Sequence, residues 1–268
     1  MTYYVDYLDK DPTTLSDKER RQAISKHYTS ISTIVDNFVN KKLSKRGLIV
    51  NGPAGGGKTE VVRQSLDSIG ANYHLLKGTL SAPELFIRIH NHAKQSNQIL
   101  VIDDTDICFD DVEMSDILKA ALDPNSGDMY YGKRSHYLMA QNVPLEFKCE
   151  GRIILITNKP LKMNYSHNMT AKTQQRVKPV LDRCLYVPAG LDPAWTAVAM
   201  QLLHQVGRVR ILAESGLPKE QQDEIIEFVI ANHKRFNGLT FRTIHTCVDM
   251  MRMDINNWRD LVIMSEGK

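Results

Sequence analysis

The chain has 268 residues, 42% of them hydrophobic, which is enough to bury a sizeable core in one large domain or two smaller ones. Its longest apolar runs, such as QILVI and RIILI, are strand-sized and far shorter than the roughly 18 residues of a membrane span, so we expect no association with a membrane. The formal net charge of +3 neither requires nor excludes a nucleic-acid partner, which must therefore be argued from local clusters.

Residues 1–18 are polar and rich in turn-forming residues, and we predict that they form a loosely held arm. This stretch has no basic region followed by an apolar one, so we expect no secretory signal. The cysteines are scattered and form no CxxC pair, which is typical of reduced thiols and favours a cytoplasmic protein. They are Cys108, Cys149, Cys184 and Cys247.

Residues 19–190 alternate between helical patterns and short apolar runs. The first predicted helix spans 19–42, where apolar residues recur at helical spacing, and the last, AKTQQRVKPVLDR, is expected to kink or end near Pro179. This alternation predicts an α/β fold with a parallel five-stranded sheet covered by helices on both faces. The predicted strands are, in order, GLIVN, NYHLL, QILVID, RIILITN and CLYVPA.

The character of the chain changes after the last predicted strand. Residues 191–268 contain only helical patterns, among them PKEQQDEIIEFVIANHKRF and TFRTIHTCVDMMRMDI. We therefore predict an α/β core over 19–190 that is followed by a small all-helical lid domain over 191–268.

The stretch GPAGGGKT at 52–59 fits the phosphate-loop pattern G-x-x-x-x-G-K-[ST] at every fixed position. It follows an apolar strand and opens a helix, where glycines let backbone N–H groups converge on phosphate oxygens. We expect Lys58 to contact the β- and γ-phosphates of a nucleotide and the Thr59 hydroxyl to bind Mg²⁺. The predicted nucleotide-binding residues are Gly52, Pro53, Ala54, Gly55, Gly56, Gly57, Lys58, Thr59 and Glu60.

Two carboxylates, Asp103 and Asp104, directly follow the apolar run QILVI. At the end of a strand beside a phosphate loop, one carboxylate can hold Mg²⁺ and a second can deprotonate the attacking water. We assign Asp103 to the metal and Asp104 to the general base. The nearby Asp106 and the pair Asp110–Asp111 are expected to be solvated or to cap helices.

Three further polar positions complete the predicted site. Asn158 ends the strand RIILIT, on the edge that carries the phosphate loop in a parallel sheet, and could hold the attacking water. Arg183 immediately precedes the last strand, where its permanent charge suits a finger that contacts a neighbouring subunit's nucleotide; Arg176 is the reserve candidate. Arg242, near the start of a long helix, could fold back over the phosphates.

The stretch MYYGKRSHYLMAQNVPLEFKC at 129–149 alternates enough to suggest a β-hairpin. Lys133 and Arg134 lie near its tip with tyrosines beside them, and such a combination can follow a nucleic-acid backbone and stack on bases. An ordinary solvated hairpin or a subunit contact is the alternative interpretation.

In order along the chain, GPAGGGKT, LVIDD, ITN, DRC and FRT resemble the Walker A, Walker B, sensor 1, arginine-finger and sensor 2 motifs of the AAA+ ATPase family. The resemblance covers most of the chain. It implies ATP and Mg²⁺ as cofactors, an ATP site at a subunit interface, and a homo-oligomeric ring or spiral such as a hexamer. It also implies Arg183 as the finger and Arg242 as the nucleotide sensor.

The pair Asp103-Asp104 departs from the Asp-Glu of most AAA+ proteins and is similar to that of replication initiators and helicase loaders. The stretch FKCEGRIILITN also looks like ATPases of tailed bacteriophages, which implies the cytoplasm of a bacterium or of a phage-infected host. We therefore expect an ATPase that remodels a macromolecule in DNA replication, as an initiator, a helicase loader or a DNA motor, with DNA or a replication protein as its partner.

Three alternatives stay open. A superfamily 3-like DNA helicase also fits the segment TNKP. A protein-remodelling or assembly chaperone is disfavoured because LLKGTLSAPEL lacks the aromatic-apolar-glycine signature of many protein-threading unfoldases. A small-molecule kinase would work as a monomer, for which the long helical tail and Arg183 have no use.

Overall fold

The computed structural model describes residues 8–40, 43–93, 98–133, 136–159, 161 and 170–268. The chain divides into two compact units. The sheet unit comprises residues 30–53 and 58–189. The helical unit comprises the described residues up to Thr29, the loop 54–57 and residues 190–268, so residues 19–29 group with the helical tail rather than with the α/β core in which the sequence prediction placed them.

The sheet unit alternates strands and helices. Helix α1 (Asp17–Val39) enters it with its second half. The remaining elements, in chain order, are β1 (Gly47–Asn51), α2 (Lys58–Ser68), β2 (Asn72–Leu76), α3 (Ala82–Ala93), β3 (Gln98–Ile102), α4 (Asp106–Asp110), α5 (Val112–Ala121), β4 (Asp128–Tyr130), α6 (His136–Ala140), β5 (Glu146–Lys148), β6 (Arg152–Thr157), α7 (Ala171–Arg183) and β7 (Cys184–Pro188).

Five parallel strands form the main sheet in the order β2-β3-β6-β1-β7. The three central strands β3, β6 and β1 are almost wholly buried, as expected for apolar runs covered on both faces. The core includes apolar residues of α3 and α5 together with those of the sheet. The predicted α/β fold, with a five-stranded parallel sheet flanked by helices, is confirmed.

The register brings the ends of the strands level. Asn51 of β1 lies opposite Thr157 of β6 and Pro188 of β7, and the ends of β2 and β3 are also paired. We call this the carboxyl edge of the sheet. The opposite, amino edge begins where Gly47 lies beside Ile153 and Cys184. In open parallel sheets ligands bind at the carboxyl edge.

Two local features differ from simple expectation. Helix α7 runs through Pro179 and ends only at Arg183; burial of Val180 in the core supports this last turn, although Pro179 has no N–H to donate. Strands β4 and β5 pair antiparallel, as a hairpin requires, but the connection between them contains the short helix α6 rather than a tight turn.

The helical unit has its own apolar cores, one of them around Trp258 and the other around Trp195. Two of its helices begin at side-chain caps: Asp192 accepts from Trp195 N, and Thr240 forms a capping box with Thr243. The helices are α8 (Pro193–Gln205), α9 (Arg210–Ala213), α10 (Lys219–Asn232), α11 (Phe241–Met253) and α12 (Trp258–Glu266).

Two further features of the structure are the lengths of its helices and the state of its cysteines. No helix in the described ranges has both the length and the apolar character needed to cross a bilayer. All four cysteines are buried and unbridged, and burial raises the pKa of the Cys108, Cys184 and Cys247 thiols to about 12, so these thiols stay protonated.

Candidate functional site

Lys58 is the first residue of α2 and lies where the loop after β1 turns into the helix. Its side chain is buried, and Nζ donates to Gly52 O at 2.9 Å, Pro53 O at 2.7 Å and Asn158 Oδ1 at 2.7 Å. These three acceptors are neutral groups that orient the ammonium. A cation held in this way at a helix start suits an anionic ligand such as a phosphate.

The loop between β1 and α2 has the backbone that its glycines predict. Gly55 and Gly57 have φ values of +70° and +79°, which residues other than glycine rarely adopt. Within the helical unit, Phe241 N donates to Gly55 O at 3.1 Å, and a Cβ on Gly55 would lie 2.8 Å from the Thr240 side chain and 3.3 Å from Cγ of Arg242. Arg242 is thus near Gly55 within the helical unit.

Thr59 and Asp103 meet at the carboxyl edge. The Thr59 hydroxyl lies 3.1 Å and 2.9 Å from the two carboxylate oxygens of Asp103, which is buried. The sequence placed these two residues on one Mg²⁺, and the structure brings them together. Lys77, at the end of β2, reaches to 4.0 Å of the same carboxylate. Lys77 is not among the site residues predicted from the sequence, although its position directly after the strand NYHLL places it at the carboxyl edge.

Asp104 has a left-handed backbone with φ of +58°, and only one other non-glycine residue in the described ranges, Asn142, shares that sign. Asn158 Nδ2 donates to Asp104 Oδ1 at 3.2 Å, while Asn158 Oδ1 accepts from Lys58. The predicted base and the predicted phosphate lysine are therefore joined through one amide side chain. Unusual backbone geometry in a non-glycine residue is frequent at functional sites.

Asp106 corrects one prediction. Rather than being simply solvated, its Oδ1 accepts from Thr157 Oγ1 at 2.5 Å and from Asn158 N at 3.1 Å. Its neighbours behave more as expected: Asp111 caps α5 by accepting from Met114 N at 2.8 Å, and Asp110 pairs with Lys159. Sequence spacing alone could not show that Asp106 reaches the end of β6.

Arg183 lies at the amino edge, on the opposite side of the sheet from Lys58, because it immediately precedes the first residue of β7. Its Nη1 donates to Pro179 O at 2.9 Å and its Nη2 lies 3.6 Å from Asp123 Oδ2. Arg176 donates to Asp110 O at 2.7 Å. Arg183 therefore does not join Lys58 and Asp104 at the carboxyl edge.

The candidate nucleic-acid residues lie beside β4. Lys133 Nζ donates to Glu113 Oε2 at 2.6 Å, and the buried Tyr131 hydroxyl also donates to Glu113. Hydrogen bonds from Lys133 and Tyr131 lower the pKa of Glu113. Tyr130 is 67% exposed. The predicted Arg134 lies outside the described residues.

The side chains of Thr59 and Asp103 at the carboxyl edge are suited to bind the Mg²⁺ of a nucleotide–Mg²⁺ complex. Thr59 supplies a hydroxyl and Asp103 a carboxylate, which are the oxygen ligands that Mg²⁺ prefers, and the phosphates and waters would complete its shell. No group of three or more His, Cys, Asp or Glu side chains in the described ranges could hold a metal by itself.

Comparison with protein-family models and with curated proteins returns no match to this chain. The fold and the site define it as an α/β protein with a five-stranded parallel sheet. At the carboxyl edge of that sheet, the side chains of Lys58, Asn158 and Asp104 form one hydrogen-bonded chain.

Proposed function

We propose that the chain is an ATPase of the AAA+ type that hydrolyses ATP with Mg²⁺ at the carboxyl edge of its sheet. The observation that carries the proposal is the hydrogen-bonded chain from buried Lys58 through Asn158 to Asp104, with Thr59 and Asp103 bonded to each other. A phosphate-binding cation, a metal-binding pair and a carboxylate base are the parts that phosphoryl transfer to water requires.

Each residue has one role in this proposal. Lys58 and the N–H groups of the glycine loop bind phosphate oxygens, while Thr59 and Asp103 hold Mg²⁺. Asp104 accepts a proton from the attacking water, and Asn158 fixes that water beside Asp104. Bound MgATP supplies the phosphoanhydride bond whose hydrolysis releases the free energy for work.

The proposed assembly is a homo-oligomeric ring or spiral in which Arg183 of one subunit contacts the nucleotide of the next. The position of Arg183 at the amino edge supports a role in trans rather than in its own subunit. Arg242 is proposed to sense the nucleotide, which its place beside Gly55 supports. The proposed work is remodelling of a macromolecule in DNA replication, with exposed Tyr130 and Lys133 as DNA-contacting residues.

Phosphate release from ATP, together with equilibrium binding of ATP, tests the hydrolytic core. We expect Lys58→Ala to weaken nucleotide binding by about a hundredfold, and Asp104→Asn to bind ATP normally but to lose turnover. Asp116→Asn is a matched control because Asp116 is an exposed carboxylate of α5 that pairs with Lys119. A wild-type protein that binds no ATP, or an Asp104→Asn variant as active as wild type, contradicts the proposal.

Mixing two inactive variants tests the shared site. An Arg183→Ala subunit keeps its own Asp104, and an Asp104→Asn subunit still offers Arg183 to its neighbour. We therefore expect the mixture to recover ATPase activity that neither variant shows alone. Failure to recover activity, in a mixture shown by its mass to be oligomeric, contradicts the assignment of Arg183 in trans.

The macromolecular partner is tested by adding single-stranded DNA, duplex DNA or an unfolded protein to the ATPase reaction. The replication hypothesis predicts stimulation by DNA that falls when Lys133 is replaced by Glu. Stimulation by the unfolded protein alone supports a protein-remodelling chaperone instead. Unwinding of forked DNA that stops in Lys133→Glu favours a superfamily 3-like helicase.

A further inference from the structure

We infer that Asp106 is a positioning residue for the hydrolysis proposed above: it fixes the main chain at the end of β6 so that the side chain of Asn158 can bridge Lys58 and Asp104. The inference rests on the proposed function for its catalytic meaning. The contact between Asp106 and Asn158 is itself a feature of the structure.

The geometry separates the two halves of Asn158. Asp106 holds the main-chain N–H of Asn158 at 3.1 Å, whereas the side-chain amide of Asn158 accepts from Lys58 at 2.7 Å and donates to Asp104 at 3.2 Å. One residue is therefore fixed through its backbone and left free to act through its side chain. The protein's own hydrogen bonds fix the position of the amide, as in a preorganised site.

The same Asp106 oxygen accepts from the Thr157 hydroxyl at 2.5 Å, and Thr157 is fully buried. That hydroxyl in turn accepts from Lys159 N at 3.1 Å. Three consecutive residues at the end of β6 are thus held around one carboxylate. A buried hydroxyl that lost its acceptor would carry an uncompensated desolvation cost, so this arrangement resists rearrangement.

A second connection, made by Thr105, joins the segment after β3 to the end of β6. Thr105 donates to Ile156 O through both its backbone N and its hydroxyl, each at 3.1 Å. Asp104 and Asp106, on either side of Thr105, both bond to Asn158. These hydrogen bonds hold the segment 104–106, which carries the proposed base, against the end of β6, which carries Asn158. Asp106 contributes the charged side chain among them.

A purely structural role would make Asp106 important for stability alone, so the test must separate positioning from folding. We compare Asp106→Ala, which removes the acceptor, with Asp106→Asn, which keeps an oxygen at the same place. Asp116→Ala, on the exposed face of α5, is the control for loss of a carboxylate. The measurements are kcat and KM for ATP, and amide hydrogen exchange of Asn158 in the nucleotide-free protein.

The positioning role predicts that Asp106→Ala lowers kcat by about tenfold or more, because small displacements of catalytic groups are costly, while KM changes by less than about threefold. It also predicts that Asn158 exchanges at least about tenfold faster. Asp106→Asn should restore both quantities to within about threefold of wild type, since it can still accept from Thr157 and Asn158.

The inference is overturned if Asp106→Ala keeps the wild-type kcat, or if Asn158 exchange is unchanged. It is also overturned if Asp106→Asn is as impaired as Asp106→Ala. Should Asp106→Ala not fold, Thr157→Val removes one of the two hydrogen bonds to Asp106 and must lower kcat in the same direction. A wild-type protein without ATPase activity contradicts the proposed function, whereas the exchange of Asn158 tests the contact independently.

Discussion

The two edges of the central sheet use charged side chains in different ways. At the amino edge, Arg152 bonds to main-chain carbonyls: it donates to Lys45 O at 2.9 Å and Leu43 O at 3.0 Å, and its guanidinium lies 5.1 Å from the Phe38 ring. At the carboxyl edge, Lys58 also donates to main-chain carbonyls, but it bonds in addition to the side chain of Asn158, which comes from a different segment.

This difference separates a structural arginine from a residue available for chemistry. Arg152 is buried, and removing it would leave carbonyls unpaired, so its value lies in holding the chain before β1. Lys58 is equally buried, but it opens helix α2 after the glycine loop, and one of its acceptors is the side chain of Asn158. Burial of a cation is therefore not enough to identify a binding residue; its place in the fold decides.

The substitutions Arg152→Met and Lys58→Met test most directly whether the two residues have different roles. We expect Arg152→Met to lower the free energy of unfolding by about 3 kcal/mol, since two carbonyls lose their donors. We expect Lys58→Met to weaken ATP binding by about a hundredfold, while it lowers the free energy of unfolding by no more than Arg152→Met does, because it too leaves two carbonyls without a donor. Chemical denaturation and nucleotide titration of the folded proteins measure the two effects.

Each of these variants is the control for the other. Under conditions where Arg152→Met is fully folded, its ATP affinity should equal that of wild type. If both variants lost nucleotide binding alike, the functional contrast between the two edges would be wrong.

A smaller effect is expected from the left-handed backbone of Asp104, where φ is +58°. Asp104→Gly should be more stable than Asp104→Ala by about 1 kcal/mol, because glycine adopts this conformation without strain. The same two substitutions at Asp116, inside helix α5, should show the opposite order by about 1 kcal/mol. Equal stability of Asp104→Gly and Asp104→Ala would show that the left-handed conformation carries no strain.

Much of this fold was predictable because its signals are local. Apolar strands covered on both faces and the glycine loop before Lys58 can be recognised in a few residues. The site was predictable where it follows the rule that parallel strands end at one edge, which brought Asp103, Asp104 and Asn158 together.

The unpredicted parts depend on contacts between distant segments. The sequence predicts that Asp106 is solvated or caps a helix, because no residue near it in the sequence indicates that it reaches Thr157, 51 positions away. The grouping of residues 19–29 with the helical tail depends on packing of Ile24 in the Trp195 cluster, which no helical periodicity reveals. Hydrogen-bond partners and packing surfaces of this kind are set by the tertiary fold.

Lys77 sharpens the contrast at the carboxyl edge, because it is an exposed cation 4.0 Å from the carboxylate of Asp103. Removing it in Lys77→Ala should raise Mg²⁺ affinity in the presence of ATP by about two- to fivefold at low salt. The effect should shrink as ionic strength rises, while Lys77→Arg should stay close to wild type. Magnesium titration of nucleotide binding measures it. Unchanged Mg²⁺ affinity in Lys77→Ala would show that Lys77 does not act on Asp103.

The smallest expected effect concerns the ion pair between Glu113, in the first turn of α5, and Lys133, which follows β4. Hydrogen bonds from Lys133 and Tyr131 lower the pKa of Glu113 below its ordinary value of 4.5. Because the folded-state pKa is the lower one, the pair's contribution to stability is present above the unfolded pKa. It is lost as pH falls through the folded value.

Lys133→Ala should therefore lower the free energy of unfolding by less than about 1 kcal/mol at neutral pH, since Lys133 is largely exposed. The difference from wild type should disappear once Glu113 is protonated in both states. Urea denaturation at neutral pH and well below the ordinary pKa of glutamate measures this. A difference that persists in acid would mean that Lys133 stabilises the hairpin through packing of its alkyl chain rather than through Glu113, and its charge would then be free for a nucleic-acid backbone.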